Sequence, residues 1–453
     1  MAVLHESVGR LHVGALALVV TGAALSAAGC AGRGPTQVSP EELPALESRL
    51  NSDPDNHRLR SRYAAALFAA DRCDAAIPEA QRALAMAPGE ALPVLIMGQC
   101  QEKQGQLDEA LGTYRTFLSR YGTLRGASAV RARELLAFRE RANQRARLAI
   151  QNEAQLSQQP TDPNTIAVLP LEVTGDTAYR ALSRGLAQIL TSDLALIQRF
   201  RLVERLQLSA LMDELNLAQG GRVDPGTAAR VGRMIQAGRL VQGAAVIPPE
   251  GAARLEASVV LPTGEVTDPT AVTGRFRDLL RIEKDLVIGL SARLGYTLSE
   301  AERRMILENG TQNLTAFLAY SRGLVAEDAG DFSRAAAYFS QAVQADPGFQ
   351  QARESFQAAA TADAVREASA GEVTTVLAQE PTPEPPAEVA VNNALNSTVT
   401  EVAPTQVEKT APTQQQQSTP ANNTPAFTPP STPTSLGTPP SATGTIRIVF
   451  RLP

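Results

Sequence analysis

The chain has 453 residues, with 42 Lys plus Arg against 47 Asp plus Glu, for a net charge of -5; at ~100 to 200 residues per domain it has room for two or three domains. That charge belongs to residues 371–443, which hold six Glu, one Lys and neither Asp nor Arg, so the remainder is neutral and has no global field for capturing nucleic acid. Three His, three Cys and no Trp exclude a His-rich metal site and leave little for a sugar-stacking cleft, so no metal or cofactor is expected.

Residues 13–28 (VGALALVVTGAALSAA) form an apolar run of 16 behind Arg10. This is shorter than the ~20 residues a spanning helix needs, and it predicts an export signal over 1–29. His5 and His12 leave with such a leader, and the mature chain of 424 residues keeps only His57. The segment Ala27-Ala28-Gly29-Cys30 resembles a bacterial lipobox, with Ala27 where such boxes usually carry Leu. The resemblance implies lipidation of Cys30, with plain cleaved export as the alternative. The lack of Asp at position 31 implies outer-membrane sorting and a periplasmic face. Export also puts Cys73 and Cys100, 27 residues apart, in an oxidising compartment, where either a disulfide or two buried thiols would persist.

Ala76, Ala80, Ala83 and Pro88 are spaced as Ala335, Phe339, Ala342 and Pro347, and Ala110 follows Ala76 by 34 residues. This resembles the tetratricopeptide pattern, in which small residues let paired helices approach, an aromatic fills the gap and Pro closes the second helix. Residues 41–122 are thus expected to hold about two repeats, with Gly98, Gly105, Tyr114 and Phe117 in the second. Residues 299–368 are expected to hold one more, with Gly323, Gly330 and Asp331 in register. One repeat cannot bury its own apolar face and must pack on flanking helices or another chain. Between Arg125 and Arg147 lie seven Arg against Glu134 and Glu140, on a predicted connecting helix within 123–160. The spacing reads as a solvated helix, with an anionic partner such as lipid headgroups as the alternative.

Residues 165–297 alternate β-rich runs with helical periods, the pattern of a small α/β unit. Strands are predicted at Thr165–Val173, from Arg201, at Leu240–Ile247 and at Arg254–Leu261, and helices at Ala178–Ile197, Gln207–Leu217, Pro225–Ile235 and Leu279–Leu294. Asp224 as N-cap and Pro225 at the first helical position fix one helix start. The segments I166-A-V-L-P-L, L202-V-E-R-L-Q-L-S-A-L-M-D-E-L-N-L, V223-D-P-G-T-A-A-R-V-G and L240-V-Q-G, with the turn Pro262–Glu265, resemble the domain shared by the CsgG curli-secretion family and its FlgO and TolB-N-like relatives. The resemblance implies a fold and an envelope setting, and it leaves a secretion channel and an accessory lipoprotein both open. The candidate loops 174–177 and 198–200 are too short for membrane hairpins of ~9 to 11 residues per strand, which disfavours the channel. No G-x-S-x-G or S-x-x-K stands in the chain, and Gly221–Gly226 lacks the Lys of a phosphate loop.

Residues 371–443 carry 13 Pro and a Gln run at 414–417, a composition that predicts disorder. The chain then closes on G444-T-I-R-I-V-F-R-L-P, where Ile446, Ile448, Phe450 and Leu452 alternate with Thr445, Arg447, Val449 and Arg451. This is a strand pattern that needs a sheet edge, in its own chain or in a partner. The expected fold class is α+β and multidomain: tetratricopeptide-like helical hairpins, a small α/β CsgG-like domain and a long disordered C-terminal tail. The expected function is a non-enzymatic, lipid-anchored scaffold or assembly factor that binds envelope proteins and is able to self-associate. A ring-forming secretion component and a cell-wall hydrolase are the alternatives.

Overall fold

The computed structural model describes residues 38–217, 223–248 and 252–368, and also Leu377. The leader, Cys30, the tail apart from Leu377, and the strand expected through Ile446, Ile448, Phe450 and Leu452 lie outside the described residues.

The described chain opens with α1 (Leu43–Ser52), α2 (His57–Ala69), α3 (Cys73–Met86), α4 (Ala91–Lys103), α5 (Leu107–Tyr121), the long α6 (Ala127–Gln151) and the single turn α7 (Glu153–Leu156). Asn56 starts α2 by accepting the Leu59 N–H at 3.0 Å. Gly105, at φ +76°, lets the chain leave α4 in the left-handed region. Successive α4 residues from Ala91 to Ile96 are buried, so this helix is enclosed on all sides, as its nearly unbroken apolar run requires.

The centre holds β1 (Asp162–Val168), β2 (Glu172–Gly175), α8 (Leu182–Leu194), β3 (Arg201–Leu202), α9 (Arg205–Glu214), α10 (Pro225–Met234), β4 (Ala237–Ile247), β5 (Ala252–Val260), β6 (Thr270–Arg275) and α11 (Leu279–Arg293). The strand order is β3-β1-β4-β5-β6, with β2 on β4 beyond the end of β1. The β1–β4 portion is parallel, and β4, β5 and β6 are antiparallel neighbours. One face of the sheet packs Val168, Val241, Leu255 and Val259 under Leu186, Leu190, Leu286 and Leu290 of α8 and α11. The other packs Ala167, Leu169 and Leu240 under Leu208, Leu211, Val231 and Met234 of α9 and α10.

The strand reading is corrected at one place and extended at a second. Thr165–Val173 is not one strand: β1 stops at Val168, Pro170 has no N–H to continue a ladder, and the chain re-enters the sheet as β2. The second is β6, which went unpredicted because Thr270–Arg275 carries mostly small and polar side chains whose burial only alternates between half-buried and exposed. The helix expected over 178–197 is shorter, preceded by a 3-10 turn at Thr177–Tyr179.

After the sheet come α12 (Glu300–Glu308), α13 (Leu314–Asp328), α14 (Phe332–Ala345) and α15 (Gln350–Glu367). Helix α13 pairs with α14, α14 with α15, and α15 with α6; α13 also crosses α8. Helices from both ends of the chain therefore form one continuous layer, and the C-terminal repeat buries its apolar face within its own chain. The expectation of a solvated connecting helix is corrected at α6. Its residues Ala129, Val130, Ala132, Ala137 and Phe138 are in the core, and it contacts α4, α5, α9 and α15.

The α8–α13 crossing depends on Gly185: a Cβ there would overlap Ser321 Oγ and stand 3.0 Å from the Phe317 ring. Gly185→Val is expected to destabilise the protein by ~1 to 3 kcal/mol or more through overpacking. Gly112, inside α5 with nothing near its missing Cβ, is the matching control, and Gly112→Ala is expected to add up to ~1 kcal/mol from helix propensity. Urea titrations of the two variants should move in opposite directions.

Candidate functional site

Four elements meet at one buried charge cluster. Arg205, the first residue of α9, sends Nη2 to Glu327 Oε1 (2.6 Å), Nη1 to Asp328 Oδ1 and Nε to Gln188 Oε1 (3.2 Å). Arg184 of α8 meets Asp328 Oδ2 at 2.9 Å. From α6, Arg139 donates to the carbonyl oxygens of Glu327 (2.7 Å) and Asp328 (3.3 Å). Glu327 and Asp328 close α13, where the helix dipole disfavours acids, and the three guanidinium groups reverse that. Burial acts to lower the Arg205 pKa, and Asp328 and Glu327 outweigh it, holding the guanidinium firmly ionised. A second junction ties α5, α6 and α9: Arg115 reaches Glu134 (2.7 Å) and Glu204 (3.1 Å). The Arg-rich helix is largely neutralised from within the chain by other pairs, Arg131 with Glu354, Arg133 with Glu102, and Arg141 and Arg145 with Asp108.

Sequence reasoning missed Arg184, Arg205, Glu327 and Asp328. A signal existed, since a Glu-Asp pair at a predicted helix C-terminus calls for nearby cations. Their partners are far away in sequence, at separations of 122 and 123 residues.

The small residues of the repeats sit at helix crossings. Ala76, Ala83, Ala110, Ala335, Ala342 and Phe339 are all fully buried. Gly98 lies against the ring of Tyr114 and Gly323 against that of Phe339, with no room for a Cβ. Pro88 and Pro347 follow the ends of α3 and α14. Cys73 starts α3 and Cys100 lies late in α4, with Cα atoms 5.4 Å apart and sulfurs at bonding distance. Closing a loop of this length is expected to contribute about 3 to 4 kcal/mol. Mass spectrometry of the denatured chain should find neither residue alkylated until reductant is added, and two labelled thiols without reductant would refute the bond.

His57, the single described histidine, lies 3.1 Å from Glu90 Oε2 through Nδ1, and Ser61 Oγ lies 3.0 Å from the same oxygen. Here the carboxylate bridges the other two groups and the imidazole does not take the serine proton, so the arrangement is not that of a nucleophilic triad. Glu90 instead precedes α4 and ties it to the start of α2. Among the described residues no group of three or more His, Cys, Asp or Glu could hold a metal ion, and no helix is long and apolar enough to cross a membrane.

Residues 147–247 match the family described as curli production assembly/transport component CsgG. A search of curated proteins finds no match to the chain. Among solved structures, the LpoB C-terminal domain from Salmonella enterica is similar at 19% identity and a TM-score of 0.21, covering 27% of this chain and 94% of that one. A tetratricopeptide repeat protein from Parabacteroides merdae is similar at 12% identity and a TM-score of 0.20, covering 70% of this chain and 91% of that one.

Proposed function

We propose that this chain is a non-enzymatic scaffold or assembly factor of the bacterial cell envelope, held to the outer membrane by a lipid on Cys30 and facing the periplasm. The observation that carries this reading is the match of residues 147–247 to a curli assembly and transport component. Its support is the setting of that match: the matched sheet shares one helical layer with repeats from both ends of the chain, so a protein bound on the helices is held at a fixed place relative to the sheet. The partners in this reading are envelope proteins bound on the repeat surface, with self-association as a further mode.

The test begins with the anchor. Cells fed a clickable fatty acid should label the wild-type chain and not Cys30→Ala, and the variant should leave the membrane fraction. An unlabelled wild type would refute the anchor. In-cell photocrosslinking from exposed repeat positions should then give discrete adducts with envelope proteins. Loss of turbidity from purified cell wall treated with the protein would instead establish a hydrolase.

The same family match favours a second reading, a ring-forming secretion component. Among the described strands only β4, with 11 residues, and β5, with nine, have the length to span a bilayer. Both are interior strands of the sheet, so a channel of this kind would have to dismantle the core. Rings in electron micrographs of detergent-extracted protein would support that reading over the scaffold.

A further inference from the structure

Three arginines from the two strands that flank β1 and the loop before one of them are pinned on three consecutive residues at the start of β1. Arg201 Nη1 reaches Asp162 Oδ2 at 3.4 Å, Arg239 Nη1 donates to the Pro163 carbonyl at 2.6 Å, and Arg199 Nε donates to Asn164 Oδ1 at 3.1 Å. Three adjacent residues of a strand span only about 7 Å, so the guanidinium groups are gathered into one small patch. Asp162 is the one carboxylate in it, and its oxygens also accept from Asn164 N (2.9 Å) and Thr165 Oγ1 (3.2 Å). No carboxylate among the described residues comes within ion-pair distance of Arg199 or Arg239. Tyr296, which feels the Arg199 charge, gives its hydroxyl to Glu302, and Ser299 also engages that carboxylate.

The backbone enforces this convergence. Gly238, just before Arg239, lies so close to the carbonyl of Asp162 and to Pro163 that no side chain would fit, which presses β4 onto the start of β1. Burial and the Arg199 charge both push the Arg239 pKa down, against a smaller opposing effect of Asp162. Like charges held together without counter-charge are costly, and the cost is offset when a multivalent anion joins them. Each of these bonds uses one guanidinium nitrogen. The remaining donors form the planar forks that fit phosphate oxygens. Arg199 and Arg201 are exposed and Arg239 is half-buried, so the patch is open to a ligand.

We propose that Arg199, Arg201 and Arg239, arrayed on Asp162–Asn164, form a binding site for an oxyanion of the phosphate class. The site does not depend on the scaffold reading, which places its partners on the helical repeats. Free phosphate and the phosphate of a lipid headgroup share this chemistry.

The test uses the full chain carrying Cys30→Ala, so that an anchor does not dominate vesicle binding. Inorganic phosphate should raise the melting temperature saturably above chloride at matched ionic strength, or vesicles containing phosphatidylglycerol should bind more tightly than pure phosphatidylcholine. The first result identifies free anion as the source, the second a headgroup. Arg199→Gln/Arg239→Gln should weaken the effect at least tenfold, while Arg322→Gln on α13 should not. Phosphate equal to chloride together with indifferent vesicles would overturn the site, as would undiminished binding by the double variant.

Discussion

Arg205→Met is expected to cost about 3 to 5 kcal/mol, the range for breaking a buried ion pair by removing one partner. The Arg205, Glu327 and Asp328 side chains are less than a tenth exposed. After the substitution Asp328 keeps Arg184, and Glu327 is left without its cation. The carboxylate must then protonate or draw in water, and the end of α13 loses its main tie to α9. The double variant Arg205→Met/Glu327→Met should recover most of the loss, because well-packed apolar replacements of whole buried pairs are often neutral. Chemical denaturation of the two single variants and the double variant gives the coupling energy directly. A double variant no more stable than either single one would show that the pair is not the clamp described here.

How this clamp assembles explains what could and could not be read from the residues. The start of α10 was legible because it is local: Asp224 Oδ1 accepts the Thr227 N–H at 3.0 Å, three positions away. The strand residues Ile166–Val168, Leu240 and Val241 were legible because parallel central strands, covered on both faces, are apolar without interruption. The helix order was not. α15 shares the core cluster of α6 through Ala362 and Val365, small side chains that carry little hydrophobic signal, and the two helices are some two hundred residues apart in sequence. The charge of α6 was visible as a count of arginines. Its meaning depended on Glu102, Asp108 and Glu354 and on the carbonyls of Glu327 and Asp328, which only the tertiary fold brings to it.

Lys284→Met is the second large expected loss, again about 3 to 5 kcal/mol, and it comes with a pH signature. Lys284 of α11 lies 2.6 Å from Asp193 of α8 and 3.5 Å from Glu283, and all three are buried. Asn309, which caps α12, donates to the other Asp193 oxygen at 2.8 Å, so the cluster also fixes the path into the C-terminal repeat. Neither Glu283 oxygen accepts a hydrogen bond among the described residues, the Lys284 ammonium standing 3.5 Å off. Burial, and then the adjacent Asp193 charge, push the Glu283 carboxyl well above the ordinary carboxylate range. One ammonium therefore faces two buried carboxyl groups, and the cluster favours a proton on Glu283.

The sign of the pH effect follows from that proton. Between the unfolded value, ~4.3, and the raised folded value, the folded state binds one more proton than the unfolded chain. Its contribution is full below ~4.3 and is lost as pH rises toward the folded pKa, at up to ~1.4 kcal/mol per pH unit. Glu283→Gln keeps the shape while removing the titration. It is therefore expected to match the wild type near pH 4 and to exceed it at neutral pH, the gap widening across the interval. Lys284→Met should show the opposite, since it leaves Asp193 without its cation and makes the loss greatest where that carboxylate is charged. Denaturation curves for the three proteins from pH 4 to 8 check both signs at once, and parallel curves for the wild type and Glu283→Gln would mean that Glu283 does not hold its proton in the fold.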